Sequence, residues 1–194
     1  MAEYAKSNSR LNRFRILMPK QRWIVLILLM LAVSVSGRAQ RSQSEVLTQA
    51  QQDKIAEAGV YPDDRIALYT KFVNEHAETI KNLSKRTESA RGHRLDQELE
   101  DFASLVDELS SNLDEYGGRM ADIRKSLKAL NEAVPHWQGL IKGLPNDSAI
   151  QISRDDATGA LSDLAADVKQ FTAKQEAYFK EHKDAKGQQR EEPQ

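Results

Sequence analysis

LDQELEDFASLVDELSSNLDEYGGRMADIRKSLKALNEAVPHWQGLIKGL, residues 95–144, decides how this chain folds. Its apolar positions are Leu95, Leu99, Phe102, Val106, Leu109, Leu113, Tyr116, Met120, Ile123, Leu127, Leu130, Val134, Trp137, Ile141 and Leu144, spaced alternately by four and three. That spacing keeps an apolar stripe on one helix face, the a/d seam of packed helices. It predicts an all-α protein, an antiparallel helical coiled coil or bundle built on one long central helix over about 93–144. Gly117-Gly118 is the weak point, because two glycines in a helix interior cost about 2 kcal/mol relative to two alanines. A reversal at Gly117-Gly118 gives the alternative, an up-down-up-down four-helix bundle. The seam keeps its phase through the glycines, which favours the continuous helix. Pro135 falls off the seam, so a kink there would face solvent.

Working outward, the preceding seam is Ile66, Tyr69, Val73, His76, Ile80, Leu83, Thr87 and Ala90. It predicts a helix that opens at Tyr61-Pro62-Asp63-Asp64, with proline and two acids in the first turn, and runs to about Ala90. The phase breaks at Gly92, so Arg91 to His93 read as a turn. After Gly143-Leu144-Pro145-Asn146-Asp147, Ser153-Arg154-Asp155-Asp156 reads as a cap with first-turn acids. The last helix then carries Ala157, Leu161, Leu164, Val168, Phe171, Gln175 and Tyr178 to about Lys183. Residues 61–184 form the helical domain, and 185–194 are expected to be a disordered tail. Charge adds a register. The acids of residues 93–116 would face the bases of 81–91, and the bases of 117–144 would face Asp155, Asp156, Asp163 and Asp167.

Upstream, Trp23 to Ser36 (WIVLILLMLAVSVS) is uncharged and apolar, about 21 Å long as a helix at ~1.5 Å per residue. That is short for a ~30 Å hydrocarbon core and suits a signal-peptide core. Gly37-Arg38-Ala39 offers a cleavage site. Residues 1–39 therefore read as a signal peptide or an uncleaved N-terminal signal anchor, and both readings export the remainder. The expected location is extracytoplasmic or periplasmic, either free or tethered to the inner membrane by residues 23–36. Residues 40–60 read as a linker and a short helix, capped by Ser44 and stopped by Gly59.

Within that short helix, Leu47-Thr48-Gln49-Ala50-Gln51 resembles the Leu-Thr-x-x-Gln motif of small periplasmic helical chaperones of the Spy/CpxP family. The motif occurs once, whereas the family usually carries it twice. The resemblance implies a cradle-shaped helical dimer that holds unfolded clients.

Composition removes several chemistries. The 194 residues include no cysteine, which excludes disulfides, thiolate metal sites and thiol catalysis. Residues 1–39 hold seven Lys/Arg and one acid, leaving 21 bases and 28 acids, a net of −7. That balance argues against nucleic acid as a partner. No phosphate-binding glycine loop, nucleophile elbow or paired Glu-x-x-His motif occurs. Glu132 and His136 stand one helical turn apart but lack further ligands. Asp63-Asp64 and Asp155-Asp156 sit at expected helix starts, where capping explains them. His76 lies on a seam, as a core-edge histidine bonded to a polar neighbour. Tyr116, Trp137, Phe171 and Tyr178 at heptad spacing are expected in the core rather than around a ligand. No catalytic, cofactor-binding or metal-ligating residue is assigned. The expected function is that of an exported, non-enzymatic helical coiled-coil protein acting through a protein partner or through homo-oligomeric self-association. A chaperone and a helical small-ligand sensor domain are the alternatives.

Overall fold

The computed structural model describes residues 46–87 and 90–183. The apolar run 23–36, Ser44 and the tail 185–194 lie outside them. The described residues form five helices and no strand: α1 Gln49–Ala58, α2 Pro62–Ser84, α3 Arg91–Gly118, α4 Arg124–Lys142 and α5 Gln151–Glu181. None of them is long and apolar enough to cross a membrane.

The expected continuous helix over 93–144 is two helices, α3 and α4. The chain reverses between them, but not at the glycine pair. Gly117 and Gly118 complete the last turn of α3. The reversal is a Schellman motif: Ala121 N–H donates to the Tyr116 carbonyl at 3.0 Å and Met120 N–H to that of Gly117 at 3.3 Å. Its left-handed residue is Met120, at φ 57°, where glycine is the usual choice. Ile123 then opens α4 and is fully buried. The seam keeps its phase because Ile123 follows Tyr116 by seven residues, one heptad spent on a turn instead of a helix. Met120, which bridged the two halves of the pattern, is only half-buried.

Repeated offsets fix how the helices sit. Asp63 meets Ser126 and Asn74 meets Trp137, both 63 residues apart, so α2 and α4 run parallel. Ser110 meets Asp167 and Lys174 meets Gly117, both 57 apart, so α3 and α5 also run parallel. Arg65 with Asn112 and His76 with Glu98 make α2 and α3 antiparallel. Asn131 with Thr172 and Gln138 with Leu161 do the same for α4 and α5. The bundle is thus two antiparallel hairpins, α2–α3 and α4–α5, laid side by side. Around its circumference the order is α2, α3, α5, α4, and the consecutive pair α3 and α4 stand diagonally opposed.

The interfaces between the hairpins are unequal, and the sequence explains it. α3 meets α5 through small residues. A Cβ on Gly117 would stand 2.3 Å from Cε1 of Phe171, so only glycine admits that ring. A Cβ on Gly92 would lie 3.3 Å from Ala149 Cβ. These two glycines are 25 residues apart, close to seven turns at about 3.6 residues each, and share one helix face. The 57-residue offset also places Ala103 beside Ala160, both buried. Gly92 is therefore a close-approach residue inside α3, not the turn expected at Arg91 to His93. α2 meets α4 less closely, and a groove lies between them.

Other boundaries move for local reasons. α1 is capped by Thr48 rather than Ser44: Gln51 N–H donates to Thr48 Oγ1, and Thr48 N–H to Gln51 Oε1, a capping box. α2 ends at Ser84, before the expected Ala90. α5 starts at Gln151, so Ser153 to Asp156 lie within it. There Ser153 donates to the Ile150 carbonyl instead of capping. The end of the α5 seam shifts from Tyr178 to the buried Phe179.

Buried polar groups are used to join elements. Gln175, fully buried on α5, accepts from Ile123 N–H at 3.0 Å and donates to the Ala121 carbonyl. One amide thus satisfies both polar ends of the α3–α4 connection. Asp63 of α2 accepts from Ser126 N–H at 3.1 Å and from the Ser126 hydroxyl. It caps α4, whose own N-cap residue Ile123 makes no side-chain cap bond.

Candidate functional site

A groove lies between α2 and α4, and further concavities lie between α4 and α5. The α2/α4 groove encloses about 750 Å³ and is lined by Thr70, Asn74, Ala77, Glu78 and Lys81 of α2 and by Ala129, Glu132, Ala133, His136, Trp137 and Leu140 of α4. Its α2 wall spans Thr70 to Lys81, about 16 Å at ~1.5 Å per residue. Alanines at 77, 129 and 133 keep the walls low. At its base the Trp137 indole N–H donates to Asn74 Oδ1 at 2.7 Å, which pins the ring between the helices. The ring's far side meets Phe102 edge-on, with centroids 6.4 Å apart. Glu78 pairs with Lys81 at 2.8 Å along one rim, and Glu132 and His136 form the other. The groove therefore offers a shallow apolar floor between two rims of mixed charge.

A polar network lies on the opposite side of α2. Arg65 Nε donates to Asn112 Oδ1 at 3.0 Å, and Asn112 Nδ2 to the Glu108 carbonyl at 2.7 Å. Tyr69 is buried against this network. Loss of water, then the Glu108 carboxylate, raises its phenol pKa, with Arg65 opposing. Removal of water also raises the Glu108 pKa, again with Arg65 opposing and Asp107 adding. Asp107 is raised by loss of water first, then by Asp163 and Asp156 of α5. Acids of α3 therefore lie beside acids of α5, an arrangement the expected charge register did not contain. Asp122 goes the other way: hydrogen bonds from Arg124, the shortest at 2.7 Å, hold its carboxyl below the usual range.

The residues weighed from the sequence scatter. Glu132 and His136 both face the groove, and among the described residues no group of three or more His, Asp or Glu is placed to hold a metal. Asp63 serves as the cap of α4. Asp155 and Asp156 lie past the first turn of α5, so the capping explanation fails for them. His76 Nδ1 lies 2.6 Å from Glu98 Oε1 on α3, a close contact in place of the expected bond, because Nδ1 is buried without a hydrogen bond of good geometry. Tyr116, Trp137 and Phe171 are buried in the bundle. Tyr178 is half-buried and stacks on His182 at 4.3 Å. Leu47 to Gln51, the stretch resembling the chaperone motif, has a local role: Leu47 is buried, and Thr48 and Gln51 form the α1 capping box. Sequence reasoning missed the groove. Its signal is the small-residue spacing Ala67, Thr70, Asn74, Ala77 on α2, mirrored by Ala129 and Ala133 on α4.

Comparison with models of protein families, with curated proteins and with solved structures finds no match to this chain.

Proposed function

We propose that this is an exported, non-enzymatic helical-bundle protein that works by gripping one helix of a protein partner in the α2/α4 groove. Residues 1–39 direct export, on the strength of the apolar run 23–36 and the basic residues before it. The observation that carries the reading is the groove itself: an alanine-lined trough between parallel helices, about three helical turns long, with charged rims. Amphipathic helices bind in this way, laying an apolar ridge on the floor and pairing charges with the rims. The occupant is a helix of another protein. Val60 and Ile152 are the exposed large hydrophobics of the described residues, and neither forms a ridge that a second copy could insert.

Photo-crosslinking tests it. A photoreactive residue at Ala133, in the trough, should give one discrete protein adduct in the producing cell. The same residue at Asp114, on α3, should not. Equal labelling from both positions, or none from Ala133, overturns the proposal.

A further inference from the structure

A second hollow lies where α4 ends and α5 begins. It encloses about 880 Å³, within the ~300–1,000 Å³ range of small-molecule sites. Ile141 of α4, Leu144 of the connection and Leu161 of α5 supply its apolar lining. Two bases stand beside them: Lys142 in the last turn of α4, and Arg154 at the opening of α5. Among the described residues the lining holds one acid, Asp155. The hollow is therefore net positive, although residues 40–194 as a whole net −7.

Bonds within the protein hold this shape. Gln138 Nε2 donates to the Leu161 carbonyl at 3.3 Å and ties α4 to α5 within the lining. The connecting segment is fastened to α3 by Arg91, which donates to Asp147 Oδ2 at 3.1 Å. Ala149 N–H closes the turn on Asp147 Oδ1 at 3.0 Å. The two bases are engaged less. Lys142 is exposed, and Arg154 Nη1 donates to the Pro145 carbonyl at 3.5 Å, which leaves most of the guanidinium fork available.

We propose that this hollow binds a small organic anion, a carboxylate or phosphate monoester carried on an aliphatic body. The anionic head pairs with the Arg154 fork and the Lys142 ammonium, both of which suit such oxygens. The body lies along Ile141, Leu144 and Leu161. An alcohol or amine with the same body leaves both bases unanswered, so charge sets the selectivity. The site uses other residues of α4 than the α2/α4 groove does, and it stands or falls separately from the partner-helix reading.

Methyl NMR tests it. The full-length protein in mild detergent, with isotope-labelled leucine methyl groups, is titrated in turn with hexanoate, hexyl phosphate, hexanol and hexylammonium. The Leu144 and Leu161 methyl signals should shift saturably with hexanoate or hexyl phosphate, and the tighter of the two identifies the head group. Leu140, which lines the α2/α4 groove, should not shift. Hexanol and hexylammonium should bind at least about ten-fold more weakly, the loss expected with charge-assisted hydrogen bonds. Arg154→Gln should weaken the anion at least about five-fold, whereas Arg154→Lys, which keeps the charge, should retain most of the affinity. Equal affinity for hexanol and the anions, unchanged affinity in Arg154→Gln, or no saturable shift at Leu144 and Leu161 overturns the proposal.

Discussion

Met120 is the residue whose chemistry fits its backbone least. A side chain in the left-handed region costs roughly 1–2 kcal/mol, part of which glycine's extra chain entropy offsets. Met120→Gly should therefore stabilise the protein by about 0.5–1 kcal/mol, read as a rise of a few degrees in melting temperature. Three residues earlier the demand reverses. Gly117→Ala drives a methyl into the Phe171 ring and should cost about 1–3 kcal/mol. Adding Phe171→Leu should recover part of that loss, a coupling that a double-mutant cycle would measure. Gln175→Leu leaves the Ile123 N–H and the Ala121 carbonyl buried without a partner. It should cost roughly 2 kcal/mol or more, whereas Gln175→Glu keeps the acceptor for Ile123 N–H but sets a buried carboxylate oxygen against the Ala121 carbonyl, so its cost should shrink only at acid pH, where the carboxyl can donate.

At the scale of elements, the acids of α3 and of the α3–α4 turn set how stability responds to pH. Asp107 and Glu108 have raised pKa values in the fold. Their contribution to stability is complete below their unfolded values and is lost as pH rises through the folded ones. Lowering pH from neutrality into the carboxylate range should therefore raise the melting temperature at first. Asp122 acts in the opposite sense. Its stabilising bonds hold above its unfolded value and fail as pH falls through its depressed folded value, so stability should turn down at still lower pH. Asp107→Asn should remove part of the first phase. Because Asp107 faces solvent, its gain at neutral pH should be a few tenths of a kcal/mol and should shrink in salt.

Helix identity was legible in the residues because each seam has a clear period. The break inside 93–144 was not. A five-residue turn that replaces part of one heptad leaves the pattern in phase, and the glycines drew attention to the wrong residues. Gly117 serves Phe171, a partner 54 residues away that no local pattern names. Charge patterning named two neighbours that the bundle has, α2 with α3 and α4 with α5. It did not contain the third, the parallel pairing of α3 with α5, which brought Asp107 towards Asp156 and Asp163. The groove escaped notice because alanines at 77, 129 and 133 mark a site by what they leave empty.

For the whole molecule, side-by-side hairpins have a consequence for the order of folding. Each hairpin joins helices that follow one another in the chain, α2 with α3 and α4 with α5. Contacts between hairpins, such as Asn74 with Trp137 and Ser110 with Asp167, span 63 and 57 residues. Closing such spans costs more chain entropy than closing a hairpin, so the α3–α5 and α2–α4 interfaces should assemble after the transition state. Chevron analysis would then find Gly117→Ala acting almost wholly on the unfolding rate. Substitutions within one hairpin interface, such as Asn112→Ala in α3, which removes the bond to Arg65 of α2, should slow folding instead. The notch at Gly117 would act as a latch: it sets how long the assembled bundle survives, with little influence on how fast it forms.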